Sequence, residues 1–224
     1  MTAPLSPRAR LGVHLASGAL LLIAAAWLFG AIAEDVVTSD RLTRQDADVA
    51  QWLHTHGNAA LTRFMLVVTN LHSTVAVSIY TALAAITLAR RRRWRWLLTV
   101  LLCSGSGLAL NVLMKLAFHR ARPVFDDPLL TLTSYSFPSG HVAASTIFYG
   151  LIVCWCFTRT PRLALRAVVV AAAILLVALV AFSRMYLGVH YLSDVGAAFA
   201  EGIAWLTLCL GSLAAFWRRT TEPV

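Results

Sequence analysis

Three short polar blocks stand at the borders of long apolar stretches: Lys115 with Arg122-Pro123, the tetrapeptide Pro138-Ser139-Gly140-His141, and Ser183-Arg184 followed by His190 and Asp194. Cations, histidines and a carboxylate are unfavourable near hydrocarbon, so each needs a partner or a task. Arg122 and Arg184 carry guanidinium forks that pair bidentately with phosphate oxygens, and Pro123 fixes the chain just beyond the first. Lys115 is the only lysine in a chain that otherwise uses arginine, which hints at a specific point-charge contact. Snorkelling at the end of a span is the plainer reading of that lysine taken alone. If helix continues past Lys115, Arg122 follows about two turns later on the same face. His119 and Arg120 share this basic stretch with weaker claims.

Pro138-Ser139-Gly140-His141 precedes an apolar helical pattern, where unpaired amides and the helix dipole attract an anion. Gly140 lets a phosphate approach the backbone, Ser139 can donate a hydroxyl hydrogen bond, and His141 can donate a proton. A Ser-Gly turn before a helix is also common punctuation. His190 and Asp194 are four apart, so in a helix both side chains share a face and hydrogen-bond. The carboxylate then holds one imidazole nitrogen and leaves the other free as base or nucleophile. A buried structural hydrogen bond is the bland alternative, which the basic and glycine companions disfavour. Together this chemistry suits a phosphate ester.

The elements that must position these blocks are membrane helices. Hydrophobic residues make up 59% of the 224, more than a soluble domain of this length tolerates. Apolar runs long enough to cross about 30 Å of hydrocarbon occur near 11–33, 72–89, 96–117, 140–158, 163–182 and 195–217. The sequence therefore predicts an all-α, integral membrane bundle of about six transmembrane helices, forming a single domain over 1–224. The first run lacks a clean cleavage site and is read as a retained span.

The net charge of +9 is a topology signal rather than a nucleic-acid footprint. Arg8 and Arg10, the cluster Arg90 to Arg93 with Arg95, then Arg159, Arg162 and Arg166, and finally Arg218-Arg219 all fall on one face when spans alternate. The positive-inside rule makes that face cytoplasmic, with both termini, and puts all three polar blocks on the opposite side. In a bacterial-type inner membrane that side is the periplasm. Trp94 and Trp96 beside the arginine cluster read as an interfacial anchor.

Between spans one and two, 34–71 carries Val49, Trp52, Leu53, Leu61, Phe64, Met65 and Val68 at helical spacing. This predicts an amphipathic segment of one or two helices on the outer membrane surface, with an interfacial connector favoured over a lid. His54, His56 and His72 lack a matching ligand pattern, Asp126-Asp127 reads as a solvated turn, and no metal or cofactor is expected. Cys103, Cys154, Cys156 and Cys209 lie inside apolar runs as small core residues. In the third span Ser104 to Gly107 form a small-residue patch, and Gly107, Asn111 and Lys115 share one stripe, where Asn111 reads as an interhelical hydrogen-bonding residue.

The three blocks resemble the signature motifs of the type 2 phosphatidic acid phosphatase family of integral membrane lipid phosphatases. They read Lys115-Leu-Ala-Phe-His-Arg-Ala-Arg122-Pro123, Pro138-Ser-Gly-His141 and Ser183-Arg184-Met-Tyr-Leu-Gly-Val-His190-Tyr-Leu-Ser-Asp194, covering 115–194 with no signature position missing. The resemblance implies His190 as a nucleophile forming a phosphohistidine, Asp194 orienting it, and His141 as general acid and then base. It implies Lys115, Arg122, Ser139, Gly140 and Arg184 as phosphate ligands, without a metal. The implied substrates are polyprenyl diphosphate, phosphatidylglycerol phosphate, phosphatidic acid and diacylglycerol pyrophosphate. Transfer of the phosphoryl group to another lipid, and non-catalytic binding or transport of an anionic lipid, are the competing functions. Vanadium-dependent haloperoxidases share the anion-binding pattern but are soluble. The expected partners are a phosphorylated lipid and the membrane, with no nucleic acid; oligomeric state is open.

Overall fold

Long apolar runs and shorter amphipathic segments form eight helices in the structure, a computed structural model described over residues 6–219. They are α1 (Pro7–Thr38), α2 (Arg41–Thr55), α3 (Ala59–Leu71), α4 (Thr74–Arg90), α5 (Trp94–Phe118), α6 (Gly140–Arg159), α7 (Leu163–Tyr186) and α8 (Leu192–Arg219). Asn58 caps α3 by accepting from the Leu61 amide, and Ser73 caps α4 by accepting from the Ala76 amide. Each side chain satisfies an amide that has no partner within its helix. Among the described residues there is no strand, so the all-α class holds.

α1, α5, α6, α7 and α8 are each long and apolar enough to cross a membrane. Their outer faces expose large apolar side chains, such as Ile23 and Trp27 on α1 and Ile174 and Leu175 on α7, as a chain dissolved in lipid requires. The protein is a multi-pass membrane protein. The sequence places a span at 72–89; there α4 has 17 residues and reaches membrane-crossing length together with α3, from which it is bent by 43°. Among the described residues there are thus five spans, or six with this bent pair, in line with the expected bundle of about six.

The segment 34–71 is also more deeply engaged than a surface connector. α1 continues through Glu34 and Asp35 to Thr38, and α2 follows as the amphipathic helix. The face of α2 that turns inward carries Asp46, Ala50 and Leu53, while Trp52 points out. α3 packs on α7, with Met65 and Val68 buried.

α6 and α8 form the centre. α6 packs against α4, α5, α7 and α8, and α8 against α1, α2, α5, α6 and α7. Val142, Ala143, Val177, Val180, Val195 and Ala198 fill the core near the start of α6. Cys103, Ile147, Leu151 and Leu206 fill it further along. The small-residue patch on α5 is half used: a Cβ at Gly107 would sit 2.4 Å from Ile147 Cδ1, whereas Gly105 faces open space. Close approach of α6 thus requires glycine at 107 alone.

Aromatic and arginine side chains mark the end of the bundle remote from the polar blocks. Arg159 lies over Trp155, Arg95 over Trp217, and Trp96 meets Trp155 edge to face. Such amphipathic pairs suit a membrane interface. Because the long helices alternate in direction, the ends of α1, α5 and α7 gather with the starts of α4, α6 and α8 at the other pole.

Candidate active site

α5 stops one turn after Lys115, where His119 adopts a left-handed conformation (φ 48°). Arg122 is therefore not two helical turns along the same face, as continued helix would have placed it. It stands in a non-helical stretch and returns to the site through hydrogen bonds. Its Nε donates to Ser134 O at 2.7 Å and Nη2 to Ser134 Oγ at 2.9 Å, while Nη1 donates to Val189 O at 2.6 Å. The same Nη1 lies 3.2 Å from His190 Nε2. Lys115 Nζ reaches the same loop, donating to Tyr135 O at 2.7 Å.

α6 begins at Gly140 with Ser139 as its N-cap residue, so the predicted helix start holds. The Ser139 amide donates to the Asp194 carbonyl at 3.1 Å, which ties the second block to the third. A Cβ at Gly140 would come within 3.1 Å of Asn111 Oδ1 and 3.9 Å of Lys115 Cε. Glycine here thus lets α6 sit against the polar stripe of α5. His141 lies within electrostatic reach of Arg184, His190, Arg122 and Lys115.

His190 and Asp194 pair, but not as neighbours on a helix. His190 precedes α8, which starts at Leu192, and Asp194 sits in the first helical turn. Asp194 Oδ2 accepts from the Tyr191 amide at 2.9 Å and lies 3.3 Å from His190 Nδ1. The spacing serves a helix entry, where a carboxylate gathers free amides and favours the dipole. With Nδ1 facing the carboxylate, Nε2 is the nitrogen directed toward Arg122. Burial pulls the His190 imidazole down to about 3, against the upward pull of the Asp194 hydrogen bond and charge, with Arg184 and Arg122 adding to the fall. The ring is neutral at physiological pH and keeps its Nε2 lone pair.

Arg184, in the last turn of α7, is 1% exposed. Its Nη1 donates to Thr69 Oγ1 on α3, while Nε and Nη2 are buried without a hydrogen-bond partner, as is Ser139 Oγ. Buried donors left unpaired cost about 1–3 kcal/mol each. An oxyanion among them would supply what they lack. Above the site, a cavity of about 430 Å³ is lined by Arg120, Arg122, Phe125, Tyr135 and Gly188. Within the membrane part, a groove of about 220 Å³ between α4, α5 and α6 has Asn111 and Gly140 in its wall.

Lys115, Arg122, Ser139, Gly140, His141, Arg184, His190 and Asp194 are thus gathered at one pole. Sequence reasoning undervalued their supports. Arg120 bridges Asp46 at 2.8 Å and Asp194 at 2.6 Å, and Asp46 is fully buried. Thr69 braces Arg184, and Asn111 donates to the buried Glu201 at 2.9 Å, the interhelical bond its position suggested. A carboxylate inside an apolar span was the available signal for Glu201. For Asp46 the signal was weaker: its place on the apolar stripe of an amphipathic helix. His54 ties α2 to the loop before α6 through Asp127 at 2.8 Å and by stacking on Phe125. Its hydrogen bond and charge hold the exposed Asp127 carboxyl below its ordinary value. Among the described residues, no group of three or more His, Cys, Asp or Glu side chains is arranged to hold a metal ion.

A helical membrane bundle with a cationic pole around a buried His/Asp pair defines the class, an integral membrane protein with a polar pole suited to an anion. The chain belongs to the PAP2 superfamily, which it matches over residues 96–218. It is 37% identical over 123 residues to phosphatidylglycerophosphatase B of Bacillus subtilis (strain 168), covering 54% of this chain and 59% of that protein. It is 36% identical over 129 residues to decaprenylphosphoryl-5-phosphoribose phosphatase of Mycobacterium tuberculosis (strain ATCC 25618 / H37Rv), covering 54% and 62%. These matches span roughly three fifths of each relative's length. Among solved structures, the chain resembles the first transmembrane PAP2 type phosphatidylglycerolphosphate phosphatase from Bacillus subtilis, with a TM-score of 0.73, 26% identity and coverage of 92% of this chain and 97% of that one. Aquifex aeolicus LpxE shares the fold, at a TM-score of 0.59 and 21% identity over 75% of this chain and 95% of that one.

Proposed function

We propose that this chain, as one domain over 1–224, is a lipid phosphatase that hydrolyses a phosphate mono- or diphosphate ester at the outer face of a bacterial inner membrane. The observation that carries the reading is the pairing of a neutral, buried His190 with Asp194 on one nitrogen and Arg122 at 3.2 Å from the other. In the reaction, His190 Nε2 attacks phosphorus in line with the lipid oxygen. The P–N bond forms as the P–O bond breaks, and His141 gives its proton to the departing oxygen. His141 then takes a proton from water, whose oxygen attacks the phosphohistidine and returns His190.

Arg122, Arg184, Lys115, Ser139 and the Gly140 amide hold the equatorial oxygens and offset the charge that develops there. No metal is used in this scheme. The groove beside Asn111 and Gly140 opens between membrane helices, so its position suits the apolar part of a lipid whose head lies at the cationic pole. The relatives are named for phosphatidylglycerophosphate and decaprenylphosphoryl-phosphoribose, which places those lipids beside polyprenyl diphosphate, phosphatidic acid and diacylglycerol pyrophosphate on the test panel. The arginine-rich loops support cytoplasmic termini and a periplasmic site.

The test is phosphate release by detergent-solubilised protein from this panel, with and without chelator. Release by wild type and its loss in His190→Ala are expected. Full activity in His190→Ala would remove the nucleophile, and a strict requirement for added divalent metal would remove the metal-free scheme. Labelled donor lipid mixed with acceptor lipids separates hydrolysis from transfer, because only transfer makes a new phosphorylated lipid.

A further inference from the structure

Asp194 belongs to a charged assembly behind the nucleophile whose other members, Asp46, Arg120 and Ser193, the phosphate chemistry above does not use. Asp46 on α2 is fully buried, and so is Asp194 at the start of α8; between them lies Arg120 with a side chain only 10% exposed. Arg120 donates through Nη2 to Asp46 Oδ2 at 2.8 Å and through Nη1 to Asp194 Oδ1 at 2.6 Å. Ser193 closes the assembly: its amide donates to Asp46 Oδ1 at 2.9 Å, its hydroxyl donates to Asp46 Oδ2, and it accepts from Arg120 at 2.6 Å. Arg120 also lies over the Tyr191 ring, 4.4 Å from its centre. Buried ions of this kind persist only when each is paired.

Counting charges shows what the second carboxylate adds. Arg120 alone against Asp194 would form a neutral pair, and little negative field would remain for the imidazole on the other carboxylate oxygen. With Asp46 present, two carboxylates share one guanidinium, and the assembly carries a net single negative charge. When His190 Nε2 bonds to phosphorus, the ring keeps its Nδ1 proton and becomes cationic, while the proton for the leaving oxygen comes from His141. A net negative group beside Nδ1 stabilises that cation as it develops.

Resting on the phosphatase reading above, we propose that Asp46 and Arg120 are positioning residues for catalysis: Asp46 offsets the Arg120 charge so that Asp194, held in place by Arg120, retains the negative field that stabilises the His190 imidazolium. The surface helix α2 thereby becomes part of the reaction's electrostatics. Its buried face at Asp46 acts through α8, without touching the substrate.

The test is steady-state kinetics of Asp46→Asn and of the double variant Asp46→Asn/Arg120→Gln, beside wild type, on the best substrate of the panel. Asp46→Asn should lower kcat by about 10- to 100-fold, the size typical of losing a group that supports a functional histidine, with KM changed by less than about threefold. Removing the uncompensated cation in the double variant should restore at least about threefold of that kcat. A merely structural role predicts the opposite, since the double variant loses more bonds. Thermal unfolding of each solubilised variant reports whether it folds.

Asp46→Asn with unchanged kcat, or a double variant no faster than the single one while both stay folded, overturns the proposal. If wild type itself releases no phosphate from any lipid, the phosphatase reading falls first and this one with it.

Discussion

Asp194→Asn is the substitution that most directly tests how the nucleophile is held. Asp194 receives three donors on two oxygens: Arg120 at 2.6 Å on Oδ1, with the Tyr191 amide at 2.9 Å and His190 Nδ1 at 3.3 Å on Oδ2. Asparagine has nearly the same shape but one oxygen. If its oxygen turns to His190, Arg120 faces an amide NH2 and loses one of two buried ion pairs, which costs about 3–5 kcal/mol when such a pair is broken. If it turns to Arg120, the NH2 opposes His190 and Tyr191, leaving donors unpaired at about 1–3 kcal/mol each and favouring the tautomer with its proton on Nε2. That tautomer has no lone pair on the attacking nitrogen. In hydrolases with an orienting aspartate the same change costs about 10⁴ in kcat, or about 5.4 kcal/mol of barrier. The expectation is thus a kcat loss on the order of 10³- to 10⁴-fold with KM nearly unchanged, because Asp194 does not face the phosphate ligands. Phosphate release measured over a range of lipid concentrations, with thermal unfolding to check folding, reads both quantities. A folded Asp194→Asn protein with kcat within about tenfold of wild type, or with the loss entirely in KM, would refute the orienting role.

Thr69→Val removes the hydroxyl that accepts from the buried Arg184 Nη1, and should lower stability by about 1.5–3 kcal/mol and raise KM, whereas Thr69→Ser should restore both; equal behaviour of the two variants in thermal unfolding and kinetics counts against the brace. His190 binds its proton at about 3 in the folded protein and near 6.5 when unfolded, so the unfolded state takes up more protons between those values and stability is lost as pH falls through that window. Nitrogen-15 NMR of labelled histidine, assigned by the signal missing in His190→Ala, should show a neutral ring down to pH 5, and a midpoint near 6.5 contradicts the burial argument. Gln51, exposed on α2, tests sidedness: in a cysteine-free background Gln51→Cys should react with an impermeant maleimide added to intact spheroplasts, and labelling only after lysis reverses the topology.

Much of the site could be read along the chain because its groups are chemically conspicuous. Arg122, Arg184, His190 and Asp194 are unfavourable near hydrocarbon, and Ser139-Gly140 announces the helix start that the structure has at Gly140. The apolar runs similarly foretold α1, α5, α6, α7 and α8. The routes by which residues meet were less legible. Lys115 and Arg122 converge through a left-handed turn at His119 and a returning loop, since local periodicity cannot anticipate where a helix stops without a strong breaker. His190 and Asp194 meet across a helix entry, a geometry that shares its four-residue spacing with a helix interior.

Sequence alone determined the solvent and the residues of the candidate site. Apolar length selects the bilayer, and residue types at the block positions single out the groups that the bundle gathers at one pole. Only tertiary structure decided which charges are spent on substrate and which on each other. Asp46 reads as one more acid in a polar connection until α2 docks against α8, where burial forces it to pair with Arg120. Thr69 reads as an ordinary helix residue until α3 packs on α7 beneath Arg184. Such pairings depend on contacts between residues far apart in the chain. Their strength comes from the low dielectric that packing creates, which is a property of the assembled bundle.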